Sequence, residues 1–356
     1  MSTRILKVAA AQVGAIHLVS DREHTLQRLI KLLKKAAAQN VKLVVYPETT
    51  FTTFFPRHFF KTQEELDVWF EHGDDVSKSD RIKPLFDEAK AAGIDICVGF
   101  AERTEDGHGF NTCVYYSAKL GKILHKYRKI HLPGTVEPFP DPEAINQLEK
   151  RYFEPGNLGF TAFRVPELLE SALKEGTTEK STTGKGDPIM GMIICNDRRW
   201  PESWRCYGLQ GVELVMCGYN TTSWAPDLFG FRKTMSRQEA IDEALFQHKL
   251  VMEANSYMNS CFSISAARCG MDDDKFGMIG GSAIVAPSGH TLAVAKSTED
   301  ELVVAEIDLE DCQQGKNKVR GFSLSCTMSI NKNVQVTLLY RSLISPTIDG
   351  QRPMVL

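Results

Sequence analysis

Three stretches of this chain place a chemically capable side chain at the end of an expected strand. Glu48 follows LVVYP, Lys129 ends HKYRK, and Cys195 ends IMGMIIC. In open α/β sheets, sites form at the carboxyl ends of strands. A carboxylate at the end of a buried strand has a raised pKa unless it is paired, which suits a general base. A thiol where a strand gives way to a helix meets backbone N–H groups and the positive end of the helix dipole, and both favour thiolate. The layout is that of a nucleophile elbow with Cys in place of Ser, without that motif's glycines. Arg198 and Arg199 follow on the same turn, two guanidiniums able to fork onto a carboxylate. Each segment also has a plainer reading. Glu48 could cap a turn or reach solvent. The basic run 125–134 could be a charged edge strand protected against aggregation. Cys195 could be a core thiol beside two surface arginines.

The elements that must position these residues alternate. Residues 5–13 read as a buried strand. Ser20 with Glu23 reads as a capping box for a helix with the stripe Leu26, Leu29, Ile30, Leu33 and Ala37. Strands are expected at 41–48, 94–102, 111–118, 189–195 and 212–220, with 111–118 continuing past Gly121 into KILHKYRK. A helix from about Lys83 stops at Gly93. A short helix carries Pro201 in its first turn. Ser236 and Glu239 cap a long helix whose stripe is Ile241, Ala244, Leu245, His248 and Met252, with His248 a satisfied core histidine. The turn Pro287-Ser288-Gly289-His290 marks a hairpin among the last strands. Helices alternating with strands and some hairpins argue an α/β layered domain with mixed sheets over residues 1–320. The polar segment 174–187 reads as an inserted surface loop. Its Gly184-Lys185 pair fails the phosphate-loop pattern. Residues 321–356 read as a C-terminal arm.

Composition narrows the function classes. The chain has 356 residues, 42% hydrophobic and 24% charged, with a formal net charge of -3. Disordered, collagenous and disulfide-scaffold classes are excluded. No global basic field exists to hold nucleic acid or an anionic membrane. No apolar run is long enough for a spanning helix. The nine cysteines are an odd count without a C-x-x-C pair. They read as reduced thiols of a cytosolic protein. The nine histidines show no metal-ligand spacing, so no metal is expected.

Taken together, a Glu, a Lys and a Cys at strand ends form a base, a cation for an oxyanion and a nucleophile. That set, with TTFFPR (52–57), HKYRKIHLPG (125–134), LEKRYFEPGNLGF (148–160), CNDRRWPESWR (195–205) and GYNT (218–221), resembles the nitrilase, or carbon–nitrogen hydrolase, superfamily. Within it the segments are most similar to the N-carbamoyl-D-amino-acid amidohydrolases. The resemblance implies a four-layer α-β-β-α sandwich, without metal or organic cofactor, assembled as a homodimer or homotetramer with the C-terminal arm at a subunit contact. It implies Glu48 as base, Lys129 as oxyanion stabiliser, Cys195 as nucleophile and Glu149 as a second carboxylate beside the lysine. It places Arg198 and Arg199 on the substrate carboxylate, Asn220 and Thr221 on a substrate-side loop, and the Asn196 N–H as second oxyanion donor. His131 shares a strand face with Lys129 and is expected near the site. Gln147 stands where the family carries a histidine, a departure that bears on substrate preference. The implied reaction is hydrolysis of N-carbamoyl amino acids, the D form by resemblance, through a cysteine thiocarbamate. The alternatives on the same scaffold are an aliphatic amidase, a nitrilase or a β-ureidopropionase. A binding module that has lost catalysis is the rival of a different class.

Overall fold

In the computed structural model, residues 4–169, 186–229 and 235–318 are described. The strands run in chain order β1 (Ile5–Gln12), β2 (Leu43–Val45), β3 (Glu71–His72), β4 (Asp95–Arg103), β5 (Gly109–Ser117), β6 (Lys122–Arg128), β7 (Phe163–Arg164), β8 (Ile189–Ile194), β9 (Leu214–Tyr219), β10 (Phe262–Ala267), β11 (Cys269–Asp272), β12 (Phe276–Ile279), β13 (Ala283–Val285), β14 (Thr291–Val294) and β15 (Glu301–Asp308). They form two mixed sheets and a separate β11–β12 ladder. The first sheet has the order β15-β1-β2-β4-β5-β6, with β3 also on β4; the second has the order β14-β13-β10-β9-β8-β7. In each sheet the middle is parallel, β1-β2-β4 and β10-β9-β8; the short β3 is parallel to β4, and the other flanking strands are antiparallel.

Alternation along the strands explains the layering. In β1, Leu6, Val8 and Ala10 join the core between the sheets, while Ala9 and Ala11 face the helices Arg22–Ala37 and Lys83–Ala92. β2 divides the same way, Leu43 and Val45 inward and Val44 outward. A strand buried on both faces reads as a near-continuous apolar run, as β2 does throughout and β1 does over Val8–Ala11. Across the interface, Met192 Sδ lies 3.6 Å from Cys97 Sγ and 3.9 Å from Cys113 Sγ. The helices Pro201–Leu209 and Arg237–Asn259 cover the second sheet. Helix, sheet, sheet and helix make the four layers expected.

Local signals mostly act as read. Gly93 ends its helix at φ 65°. Pro201 opens its helix, and Ser236 and Glu239 close a capping box. Two expectations fail. Residues 111–118 do not continue past Gly121 as one strand, because Gly121, at φ 61°, turns the chain back into β6, which pairs antiparallel with β5. The cap of the first long helix is Asp21, which accepts from the Glu23 N–H, and that helix starts at Arg22. Ser20 Oγ instead accepts from His17 N at 2.9 Å and closes the preceding turn. The residue Asp21 is an equally good cap, one position later, and its carboxylate also suits the positive helix end. Most of the polar 174–187 segment, and the arm from 321, lie outside the described residues. Among the described residues no helix is long and apolar enough to cross a membrane.

The parallel cores gather strand ends at one rim. β2 delivers Pro47-Glu48 there, β6 delivers Lys129, β8 delivers Cys195 and β9 delivers Asn220. The approach is so close that two strand glycines are obligatory. A Cβ on Gly218 would lie 2.7 Å from the Glu48 nitrogen, and one on Gly99 would lie 2.8 Å from the Pro47 oxygen. Overpacking of this kind costs about 1–3 kcal/mol. We expect Gly218→Ala to lower the unfolding free energy measured in urea by that amount and to displace Glu48, with turnover falling further than stability alone explains. Unchanged stability would show that β9 and the Glu48 segment have room between them.

Candidate active site

Glu48, Lys129 and Glu149 form a fully buried chain of charges. Lys129 Nζ donates to Glu48 Oε1 at 2.6 Å and to Glu149 Oε2 at 2.5 Å, and all three side chains have no exposed surface. Asn111 Nδ2 donates a further bond to Glu48 Oε1 at 2.7 Å. The Asn220 N–H donates to Glu48 Oε2 at 3.0 Å. Gln147 Nε2 donates to Glu149 Oε1 at 2.7 Å. Backbone pairing sets the register, because the Lys129 N–H donates to the Asn111 carbonyl at 2.8 Å and so aligns both side chains with the carboxylate.

Cys195 sits at the turn out of β8, on a five-residue 3-10 segment, with φ 48°. A left-handed conformation at a residue other than glycine costs about 1–3 kcal/mol and is held only where surrounding contacts enforce it. Here they do. Asp197 bends back to accept from the Ile194 N–H at 3.1 Å, and Tyr127 OH donates to the same carboxylate at 2.7 Å. Arg198 Nη1 donates to the Cys195 carbonyl at 2.7 Å. Thr49, next to Glu48, is also left-handed at φ 44°. The elbow therefore exists without glycine. The Cys195 thiol donates to the Asn220 carbonyl at 3.5 Å, so Asn220 touches both the sulfur and Glu48.

The sulfur opens onto a cavity of about 310 Å³ lined by Gln147, Asn196, Arg198, Arg199, Thr221 and Thr222, among others. Cys195 keeps only 4% of its surface exposed. Electrostatics there differ from the sequence expectation. Burial, with Glu48 nearby adding to it, pushes the Cys195 thiol up to about 11, although Lys129 and Arg198 pull the other way. A short 3-10 turn contributes too little dipole to overcome desolvation. The resting group is the thiol, which makes a neighbouring base necessary. Burial works against the Lys129 ammonium, yet the surrounding anions hold its pKa well above the usual lysine value. Glu149 is pushed to about 7, chiefly by burial, with Lys129 opposing.

The two arginines divide rather than act as one fork. Arg198 is buried and spends Nη1 on the Cys195 carbonyl, Nη2 on Thr221 Oγ1 at 2.8 Å and Nε on His248 Nδ1 at 3.1 Å. Arg199 is half-buried, with one long contact to Gln247 at 3.5 Å, and is the freer guanidinium. His248 is a satisfied buried histidine, as read, but it stacks on Tyr219 and supports Arg198. His131 lies close, yet both its N–H and its ring Nδ1 are engaged by Asp197 Oδ1. Asn196 Nδ2 donates to the His131 carbonyl at 3.2 Å. Asn111 and Asp197 were missed from sequence. Asn111 sits inside a strand and Asp197 inside a charged run, and neither carries a local signal. Among the described residues no group of three or more His, Cys, Asp or Glu side chains could hold a metal ion.

Residues 7–317 match the carbon-nitrogen hydrolase family. The chain belongs to that family. It is similar to a nitrilase of Pyrococcus abyssi, 28% identical over 86% of this chain and 90% of the relative. It is similar to an N-carbamoylputrescine amidase of Oryza sativa, 26% identical over 88% of this chain and 89% of the relative. Among solved structures it resembles a carbon-nitrogen hydrolase from Helicobacter pylori G27 with a TM-score of 0.68, at 20% identity, over 95% of this chain and 99% of that one. As a member of this family the chain is a hydrolase of carbon–nitrogen bonds.

Two measurements test the electrostatics. Iodoacetamide alkylation of Cys195 in the free enzyme should keep accelerating above pH 9; a plateau near pH 7 would mean a preformed thiolate. Glu149 has a folded pKa above its unfolded value, so its ionisation disfavours the fold. Stability from this group is present below about 4.5 and is lost as pH rises through about 7. Glu149→Gln should remove that slope from the unfolding temperature plotted against pH.

Proposed function

We propose that this carbon-nitrogen hydrolase cleaves N-carbamoyl amino acids, with Cys195 as nucleophile and Glu48 as base. The observation that carries the reading is the Cys195 sulfur on the floor of a donor-rich cavity, backed by the Glu48–Lys129–Glu149 chain. Glu48 takes the thiol proton, and the sulfur attacks the ureido carbonyl carbon. Lys129 and the Asn196 N–H hold the developing oxyanion; such donors are worth about 3–4 kcal/mol each. The C–N bond to the terminal nitrogen breaks, Glu48 returns the proton to it, and ammonia leaves. The enzyme then carries a thiocarbamate. Water, deprotonated by Glu48, attacks the same carbon. The C–S bond breaks, the thiol is restored, and the released carbamic acid gives carbon dioxide and the free amino acid.

The high thiol pKa supports a base-coupled attack over a standing thiolate. Glu149 is positioned to keep Lys129 charged and in place. Arg199, the freer guanidinium, suits a substrate carboxylate, and a site built for that anion rejects a neutral amide. The name of the Oryza sativa relative supports a carbamoyl group at the reacting end. Preference for the D form rests on the sequence resemblance alone. The aliphatic amidase, nitrilase and β-ureidopropionase readings share this machinery and differ in the far end of the substrate. The presence of Arg198 and Arg199 at the cavity disfavours simple amides and nitriles. Assembly into dimers or tetramers is likewise a proposal from the resemblance.

The deciding assay is ammonia release from N-carbamoyl-D- and L-phenylalanine, N-carbamoyl-β-alanine and a simple amide, side by side. The carbamoyl-D-amino acid should turn over fastest, and Cys195→Ala should lose at least about a thousandfold in kcat. Arg199→Ala should raise KM about 10- to 100-fold for the carbamoyl amino acid, the worth of a charged hydrogen bond, and change it little for the amide. Fastest turnover of the simple amide would overturn the substrate reading. Full activity in folded Cys195→Ala would overturn the mechanism.

A further inference from the structure

Arg57 is a second buried guanidinium behind the cavity, and the mechanism above does not use it. It is 3% exposed. The Phe54 and Phe276 rings each lie 5.5 Å from its guanidinium carbon. Its Nη2 donates to Thr222 Oγ1 at 2.6 Å and lies 3.2 Å from Met278 Sδ. Its Nε and Nη1 have no hydrogen-bond partner among the described residues. No carboxylate is its own. The nearby Asp272 already accepts two bonds from Arg268, at 2.8 and 3.0 Å, and others from Ile16 N and Thr53 Oγ1. A buried cation without an anion is expensive, and burial lowers the pKa of Arg57 to about 10.

The hydrogen-bond directions make this informative. A guanidinium can only donate. Thr222 Oγ1 therefore accepts from Arg57, and its own proton is left to donate. No acceptor for that proton occurs among the described residues, and Thr222 lines the cavity. Thr221 is in the same state, its Oγ1 accepting from Arg198 Nη2. Two adjacent hydroxyls are thus polarised by buried cations into donors at the cavity wall. Such a wall fits a group that only accepts, and a carboxylate is that group.

We propose that Thr222, polarised by Arg57, is a specificity-determining donor to the substrate carboxylate, with Arg57 a positioning residue behind it. The proposal rests on the carbamoyl amino acid reading and adds the residues that select its anionic end. It makes Arg57 a cation whose counter-ion arrives with the substrate.

The test is calorimetric binding to the full-length Cys195→Ala chain, which removes turnover from the measurement. Two ligand pairs are used: N-carbamoyl-D-alanine against ethylurea, and butyrate against butyramide. Thr222→Val, which keeps shape and loses the hydroxyl, should weaken N-carbamoyl-D-alanine and butyrate about tenfold and change the neutral partners less than twofold. Thr222→Ser should restore the carboxylate preference. Arg57→Met should match Thr222→Val, and the double variant should add nothing. Equal weakening within a pair, or no weakening, overturns the proposal. So does an additive double variant. If neither ureido compound binds but butyrate still exceeds butyramide and Thr222→Val removes the difference, the donor wall stands and the carbamoyl reading falls. Should Arg57→Met fail to fold, Thr222→Val and its Ser rescue decide the matter alone.

Discussion

A single ammonium between two carboxylates holds this site together. Lys129 Nζ bonds Glu48 and Glu149 where water does not reach. Two buried anions side by side would force one to take up a proton. One buried cation alone would lose its charge. Together they offset part of that cost, with Glu149 still pushed to about 7 by burial, and Asn111, Gln147 and the Asn220 N–H donate further bonds to the two carboxylates. Replacing a buried charge cluster by apolar residues of similar volume is often neutral or stabilising, so the charges are a weak source of stability. The cluster is therefore retained for what it does to the adjacent sulfur. It supplies a base with a fixed aim and a cation that cannot swing away.

The sheets exist to make that meeting possible. Glu48 and Lys129 come from one sheet, Cys195 and Asn220 from the other. The rims meet where β1 and β10 leave their sheets, with the Val13 N–H donating to the Ala267 carbonyl at 3.0 Å. The cost of the junction is visible in the backbone. Thr49 and Cys195 both take left-handed angles, and Gly99 and Gly218 forgo side chains so that the Glu48 segment can pass. Rigidity at this point matters because a thiol with a pKa near 11 needs its base in the right place when substrate arrives.

Much of the site was legible because strand ends are legible. Glu48 and Cys195 each follow an apolar run and Lys129 ends a basic strand, and the structure places all three at one rim. Glu149 and Gln147 emerged only through resemblance to a family, since nothing in QLEKRY announces a buried carboxylate. Asn111 was hidden because its importance lies in pairing with Lys129 across two strands, a relation that periodicity cannot express. Arg57 was quoted within TTFFPR yet had no role, because its isolation from any carboxylate is a property of packing. The Ser20 cap failed for a smaller reason. Ser20 and Asp21 are both strong caps, and only the turn at His17 decides between them. The unequal surroundings of Arg198 and Arg199 were not legible, because adjacency in the sequence does not show that one is engaged by the elbow and the other has a single long contact.

The strand β15 pairs along the whole of β1, from Ile5 against Asp308 to Gln12 against Glu301. Among the described strands, the first in chain order thus waits for the last. Until some three hundred residues have left the ribosome, β1 offers a row of unpaired backbone groups on an apolar ribbon. Assembly of this enzyme is consequently a late, long-range closure, slow by topology and vulnerable to self-association while it waits. A nascent chain built this way has reason to be chaperoned, however stable the finished sandwich is.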